Sequence, residues 1–173
     1  MEAEMNRKAK MSRTISKCFS VSTILLTVAL VFASCNRNAI YSHYESIAVD
    51  GWGWEHGDTM GFSVPPVSEG GLYSEEIGVR TSGTFPFRDL VLLVHHTVMP
   101  EGRRWTDTVD VAIVGEDGAP QGDGISLVHH STRLPNLMLN EGDSLHVSIS
   151  HFMRLENLPG ISDVGVTLRQ IKE

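Results

Sequence analysis

The chain has 173 residues, with 14 lysines and arginines against 21 aspartates and glutamates, a net charge of -7 with histidine neutral. That balance argues against nucleic acid and against a basic domain clinging to a membrane surface, since both need clustered positive charge. Once its first segment is set aside, the length allows one domain with a substantial core, and not two.

That first segment reads as an export signal. Arg7, Lys8, Lys10, Arg13 and Lys17 precede an apolar run from Ile24 to Ala33, which closes on Ala33, Ser34 and Cys35. Positive, apolar, then small is the order of a cleavable secretory signal. The run falls short of the roughly 20 apolar residues that span a bilayer. Met11 to Cys35 already holds all three parts, so Met1, Met5 and Met11 are each candidate starts. Phe32–Cys35 resembles the bacterial lipobox, whose small residues admit a peptidase that cuts before a cysteine carrying diacylglycerol as a thioether. A further amide-linked acyl chain supplies the second anchor that stable attachment requires.

The expected organisation is a signal peptide at 1–34, lipidated Cys35 with a short tether over 35–41, and a folded domain over 42–173. Removing 34 residues leaves 139, carrying 9 basic and 19 acidic side chains for a sum of -10. Cys18 lies inside the signal, so Cys35 is the sole cysteine of the mature part and an internal disulfide is excluded. Asn36 follows it, where an aspartate would retain a lipoprotein in the inner membrane. The location implied is the outer membrane, facing the periplasm.

Period-2 patterns between Gly, Pro, Asn and Asp recur along the mature chain, and no long helical pattern appears. Tyr41 to Val49 starts the domain, and Gly51 to Gly57 is a turn-rich aromatic segment. A short extended piece at Phe62 stops at Pro65. Leu72 to Thr81 reads as a strand with Tyr73, Glu75, Ile77 and Val79 on one side, although Glu75 sits oddly on an apolar face. Leu90 to Val98 is the strongest strand, apolar enough to be interior. Trp105 to Val114 alternates, with Asp107 the misfit on the apolar side. Ile125 to Arg133 is ambiguous, and Leu134 to Asn140 is loop or short strand. Leu145, Val147 and Ile149 point inward along the next strand, and Val164, Val166 and Leu168 share a side of the last. About seven or eight strands near ten residues apart predict an all-β fold, an antiparallel β-sandwich of jelly-roll type.

Chemistry is sparse. The eight histidines include His95 with His96 and His129 with His130, pairs that point to opposite faces of a strand and do not chelate alone. No HExxH, EF-hand or GxSxG pattern occurs. The expectation is no catalytic residue, no metal and no cofactor. Trp52, Trp54 and His56 form the candidate binding surface for a glycan or peptide, because the surrounding glycines leave the tryptophans less enclosed. Arg154 and Asp163 form a candidate structural pair across the Leu158–Gly160 turn, with Gly165 allowing close backbone approach.

The lipobox, Tyr41, Trp52 to Trp54, Phe62, Leu72 to Arg80, Phe85 to Leu90, Gly118 to Gly124 and Met153 to Gly165 together resemble the GldH gliding-motility lipoproteins of the Bacteroidota. The resemblance covers nearly all of the mature domain, and Asp89 stands where that family commonly has Asn. It implies a non-catalytic component of a cell-envelope assembly associated with gliding motility or protein secretion, with envelope proteins as partners and the membrane held through the N-terminal lipid. The rival reading is a periplasmic glycan- or peptide-binding module.

Overall fold

The computed structural model describes residues 39–47 and 53–172, so the signal, Cys35 and Trp52 lie outside the described residues. Twelve strands follow in order: β1 Ala39–Ser46, β2 Trp54–Glu55, β3 Met60–Val64, β4 Gly71–Ser82, β5 Asp89–Met99, β6 Arg103–Ala112, β7 Asp123–Gly124, β8 Leu127–Arg133, β9 Leu137–Leu139, β10 Ser144–His151, β11 Asn157–Leu158 and β12 Ile161–Gln170. Eight of these run five residues or longer, and no helix occurs among the described residues. The tether expected through Tyr41 is already strand from Ala39, because β1 pairs with the end of β12 there.

Two antiparallel sheets make the sandwich. The larger has the order β1-β12-β4-β8-β7, with β9 also on β4; the smaller runs β3-β10-β5-β6, and β2 pairs with β11 separately. Alternation decides what faces inward. Tyr73, Ile77 and Val79 of β4 oppose Leu90, Leu92, Val94 and Val98 of β5, and all are buried. Leu145, Val147 and Ile149 join them from β10, as do Val164, Val166 and Leu168 from β12. Burying such side chains contributes roughly 1.5–3 kcal/mol each before the entropy of ordering is counted.

Short connections sort the loops. The β3–β4, β5–β6 and β9–β10 links lie at the end of the sandwich where β1 begins and β12 finishes. At the opposite end are the segments after β1, between β4 and β5, after β6 and after β10. Their backbones interlock there. Ser82 N–H donates to the Gly160 carbonyl at 2.8 Å, His56 N–H to Glu156 at 2.6 Å, and Ile113 N–H to Arg88 at 2.8 Å. Gly160 has φ of 82°, and a Cβ there would run into the Phe85 backbone, so the turn requires glycine.

β8 and β9 occupy the same side of β4 but are out of step. Arg133 opposes Glu76 and Leu137 opposes Tyr73, so four steps on one strand match three on the other. The extra residue is a bulge at Pro135, which has no N–H to give a ladder.

Candidate functional site

On the outer face of the larger sheet, register puts Tyr44 of β1, Gly165 of β12 and Gly78 of β4 in one row. The Tyr44 ring lies across both glycines. A Cβ on Gly165 would stand 2.5 Å from the ring, and one on Gly78 would strike the hydroxyl. That hydroxyl pairs with His129 Nε2 at 2.8 Å, and the Arg80 guanidinium sits 4.7 Å above the ring centre. Burial raises the Tyr44 phenol above its ordinary pKa, with Arg80 pulling it back. Asp163 closes the cluster. It accepts hydrogen bonds from Ser46 Oγ at 2.8 Å and Ser162 Oγ at 2.6 Å, and lies 3.9 Å from Arg80.

The expected Arg154–Asp163 pair is therefore corrected. Asp163 is the direct cross-strand partner of Arg80, whereas Arg154 lies exposed in the loop after β10, without an ion pair among the described residues. Gly165 does permit a close approach, but to the Tyr44 ring.

Of the expected surface of Trp52, Trp54 and His56, Trp52 lies outside the described residues, His56 is exposed, and Trp54 alone departs from expectation. Trp54 is fully buried, so it offers no platform. Pairing of Trp54 with Leu158 turns its ring into the core, where its Nε1–H donates to the Asp58 carbonyl at 3.1 Å. The neighbouring glycines bear on backbone shape and not on what covers the side chain. The buried His151 ring stands edge-on to Trp54 at 5.3 Å and 5.2 Å from the exposed His56 ring. Its Nε2–H donates to the Trp54 carbonyl at 3.1 Å, while Nδ1 accepts from the Met153 N–H at 3.4 Å. Burial pushes the His151 pKa down.

A third cluster lies where β6 flanks β8 and β9. Glu75 Oε2 meets His96 Nε2 at 3.0 Å across the two sheets, with both side chains sealed from solvent. Glu75 Oε1 and His96 Nδ1 are buried without a hydrogen-bond partner. His96 stacks on Trp105 at 4.5 Å, and Trp105 Nε1–H donates to Asp107 Oδ2 at 3.0 Å, itself 3.6 Å from His96 Nδ1. Outside this row opens a groove of about 460 Å³, walled by Arg103, Trp105 and Asp107 on one side and by Asn136, Leu137 and Met138 beyond the Pro135 bulge. Arg103 spans it, donating to the Met138 carbonyl at 2.8 Å. The legible signal for this cluster was the two acids on apolar faces, Glu75 and Asp107, together with an inward His96. No group of three His, Cys, Asp or Glu with metal-holding geometry occurs among the described residues.

The match to a family described as GldH lipoprotein runs over residues 39–168, the span of this sandwich. The chain is 26% identical over 156 residues to the gliding motility lipoprotein GldH of Flavobacterium johnsoniae, covering 86% of this chain and 96% of that protein. To a gliding motility lipoprotein GldH homolog of Christiangramia forsetii it is 26% identical over 161 residues, 88% and 96% of the two chains. Among solved structures it is similar to a family GH115 4-O-methyl-alpha-glucuronidase, BtGH115A, at 15% identity and a TM-score of 0.44, over 80% of this chain and 18% of that one. A family 35 carbohydrate binding module from Clostridium thermocellum gives 10% identity and a TM-score of 0.38, over 75% and 90%. Scores of this size bear on neither fold nor function. With the family match extending from β1 to β12, the chain belongs to the GldH lipoprotein family.

Proposed function

We infer that this is a lipoprotein held on the outer membrane through Cys35, facing the periplasm, and that it works as a non-catalytic component of a cell-envelope assembly associated with gliding motility or protein secretion. The observation that carries the reading is the polarity of the sandwich. β1 begins at Ala39, four residues after Cys35, so the chain allows at most about 14 Å between their Cα atoms. Lipid on Cys35 keeps the β1 end beside the membrane. The interlocked loops bearing Phe85–Arg88, Gly118–Gly124 and Met153–Gly160 belong to the other end and are presented away from it. A binder tethered at one end and carrying its irregular segments at the other suits docking onto neighbouring envelope proteins.

The test is palmitate labelling with affinity purification from membranes. Labelled acyl chain enters the wild-type protein and not Cys35→Ala, and envelope proteins copurify with the wild type alone. Equal labelling of both removes Cys35 as the anchor. Absence of any specific envelope protein removes the assembly.

A further inference from the structure

Every sandwich has sheet edges, and most of those described here are blunted. β1 carries an irregularity between Ala39 and Tyr41, β3 has five residues, β9 has three, and the end of β8 nearest Leu127 is covered by β7. β6 is different. It has ten residues, pairs in unbroken register with β5 on one side, and is hydrogen-bonded to no strand on the other, although β8 of the second sheet flanks it. Among the described residues, the backbone groups of Arg104–Ala112 that face away from β5 bond to nothing else in the chain. A long unpaired edge is a template for another strand.

We propose that the β6 edge pairs antiparallel with β6 of a second copy of this chain, about a two-fold axis at Asp107. The charge pattern on the outward face selects the occupant. Arg104, Thr106, Thr108 and Asp110 are exposed, and neither Arg104 nor Asp110 has an ion-pair partner among the described residues. Antiparallel pairing centred on Asp107 sets Arg104 of one copy opposite Asp110 of its partner, twice, because a two-fold contact is self-complementary. Shifting the centre by one residue either way breaks both pairs. Opposite charges across a ladder stabilise it, and the two four-stranded sheets join into one of eight.

Asp107 works against the pairing. It points inward from an edge strand, and the two carboxylates meet at the axis, the arrangement by which native edges resist self-association. Here each carboxylate is drawn back by the Trp105 indole N–H at 3.0 Å and is only 30% exposed. The association is accordingly weak and reversible, with Asp107 as its brake.

Sedimentation of the purified full-length chain in neutrally buoyant detergent, over a concentration series, tests this. The wild type shows a monomer–dimer equilibrium. Arg104→Asp and Asp110→Arg each weaken it tenfold or more, the double variant restores it, and Asp107→Asn tightens it severalfold. A monomer at every concentration overturns the proposal. So does a dimer indifferent to the single reversals, or one that the double reversal does not rescue. The readout uses the purified chain alone, so its failure leaves the assembly reading standing.

Discussion

Glu75 of β4 and His96 of β5 form an acid–base pair that bridges the two sheets at 3.0 Å inside an otherwise apolar core. Such a pair is weak evidence for stability, because its desolvation offsets its attraction, yet breaking it is costly. His96→Leu strands the Glu75 carboxyl and is expected to destabilise the fold by about 3–5 kcal/mol. Glu75→Leu with His96→Leu together cost far less than the single change or nothing. Urea midpoints of the three proteins decide it, and a double variant no better than His96→Leu would sink this account.

Tyr44 and Gly165 give a second, purely steric expectation. Gly165→Ala places a methyl group where the Tyr44 ring lies, and overpacking of this kind costs about 1–3 kcal/mol. Adding Tyr44→Ala removes the clash, so the Gly165→Ala penalty measured in a Tyr44→Ala background falls by at least half. An unchanged penalty would mean that the ring is not the obstacle.

Asp163 separates two arginines. Arg80 is its register partner, although nearly half exposed, so Arg80→Ala is expected to cost about 0.2–1 kcal/mol through this pair. Arg154→Ala should stay within about 0.5 kcal/mol of the wild type. Asp163→Ala should exceed both, since it also strips partners from Ser46 and Ser162. A double-mutant cycle shows coupling of Asp163 to Arg80 and none to Arg154; the reverse order would restore the pairing expected from sequence.

His151 makes stability depend on pH. Burial lowers its folded pKa below 6.5, its ordinary value, while the unfolded chain takes the proton at that value. Between the two, the unfolded state binds more protons, so this group makes stability fall as pH drops through the window and leaves it flat above about pH 7. His151→Gln lowers stability at pH 7.5, but the gap to wild type narrows by pH 5. Parallel urea midpoints across that range would refute the assignment.

Much of the fold was legible because burial follows a period of two. Tyr73, Ile77, Leu145, Val147, Val164 and Leu168 announce their faces by alternation alone. Even the misfits were informative, since Glu75 and Asp107 sit on apolar sides because they flank His96. What alternation does not carry is which strands are neighbours. Asp163 meets Arg80 because β12 lies beside β4, a pairing across more than eighty residues of chain that no local pattern encodes. Trp54 differs from its expected exposure for a related reason: glycines describe the backbone around it, while its strand partner is β11, a hundred residues on. Ile125 to Arg133 carries no clear alternation, since Ile125 and Leu127 are both exposed while the adjacent Val128 and His129 are both half-buried.

The change of phase at the Pro135 bulge has a consequence for how the family can vary in length. Before Pro135 the inward positions are even, His130 and Leu134; after it they are odd, Leu137 and Leu139. Deleting one residue between Leu134 and Leu137, or adding one, would act as a frameshift in three dimensions. It would turn Leu137 and Leu139 to solvent and Met138 to the core, with no change in composition elsewhere. Most loops of a sandwich tolerate such edits, but this two-residue passage, Pro135 and Asn136, does not. Its length is as much a part of the fold as the identity of any core side chain.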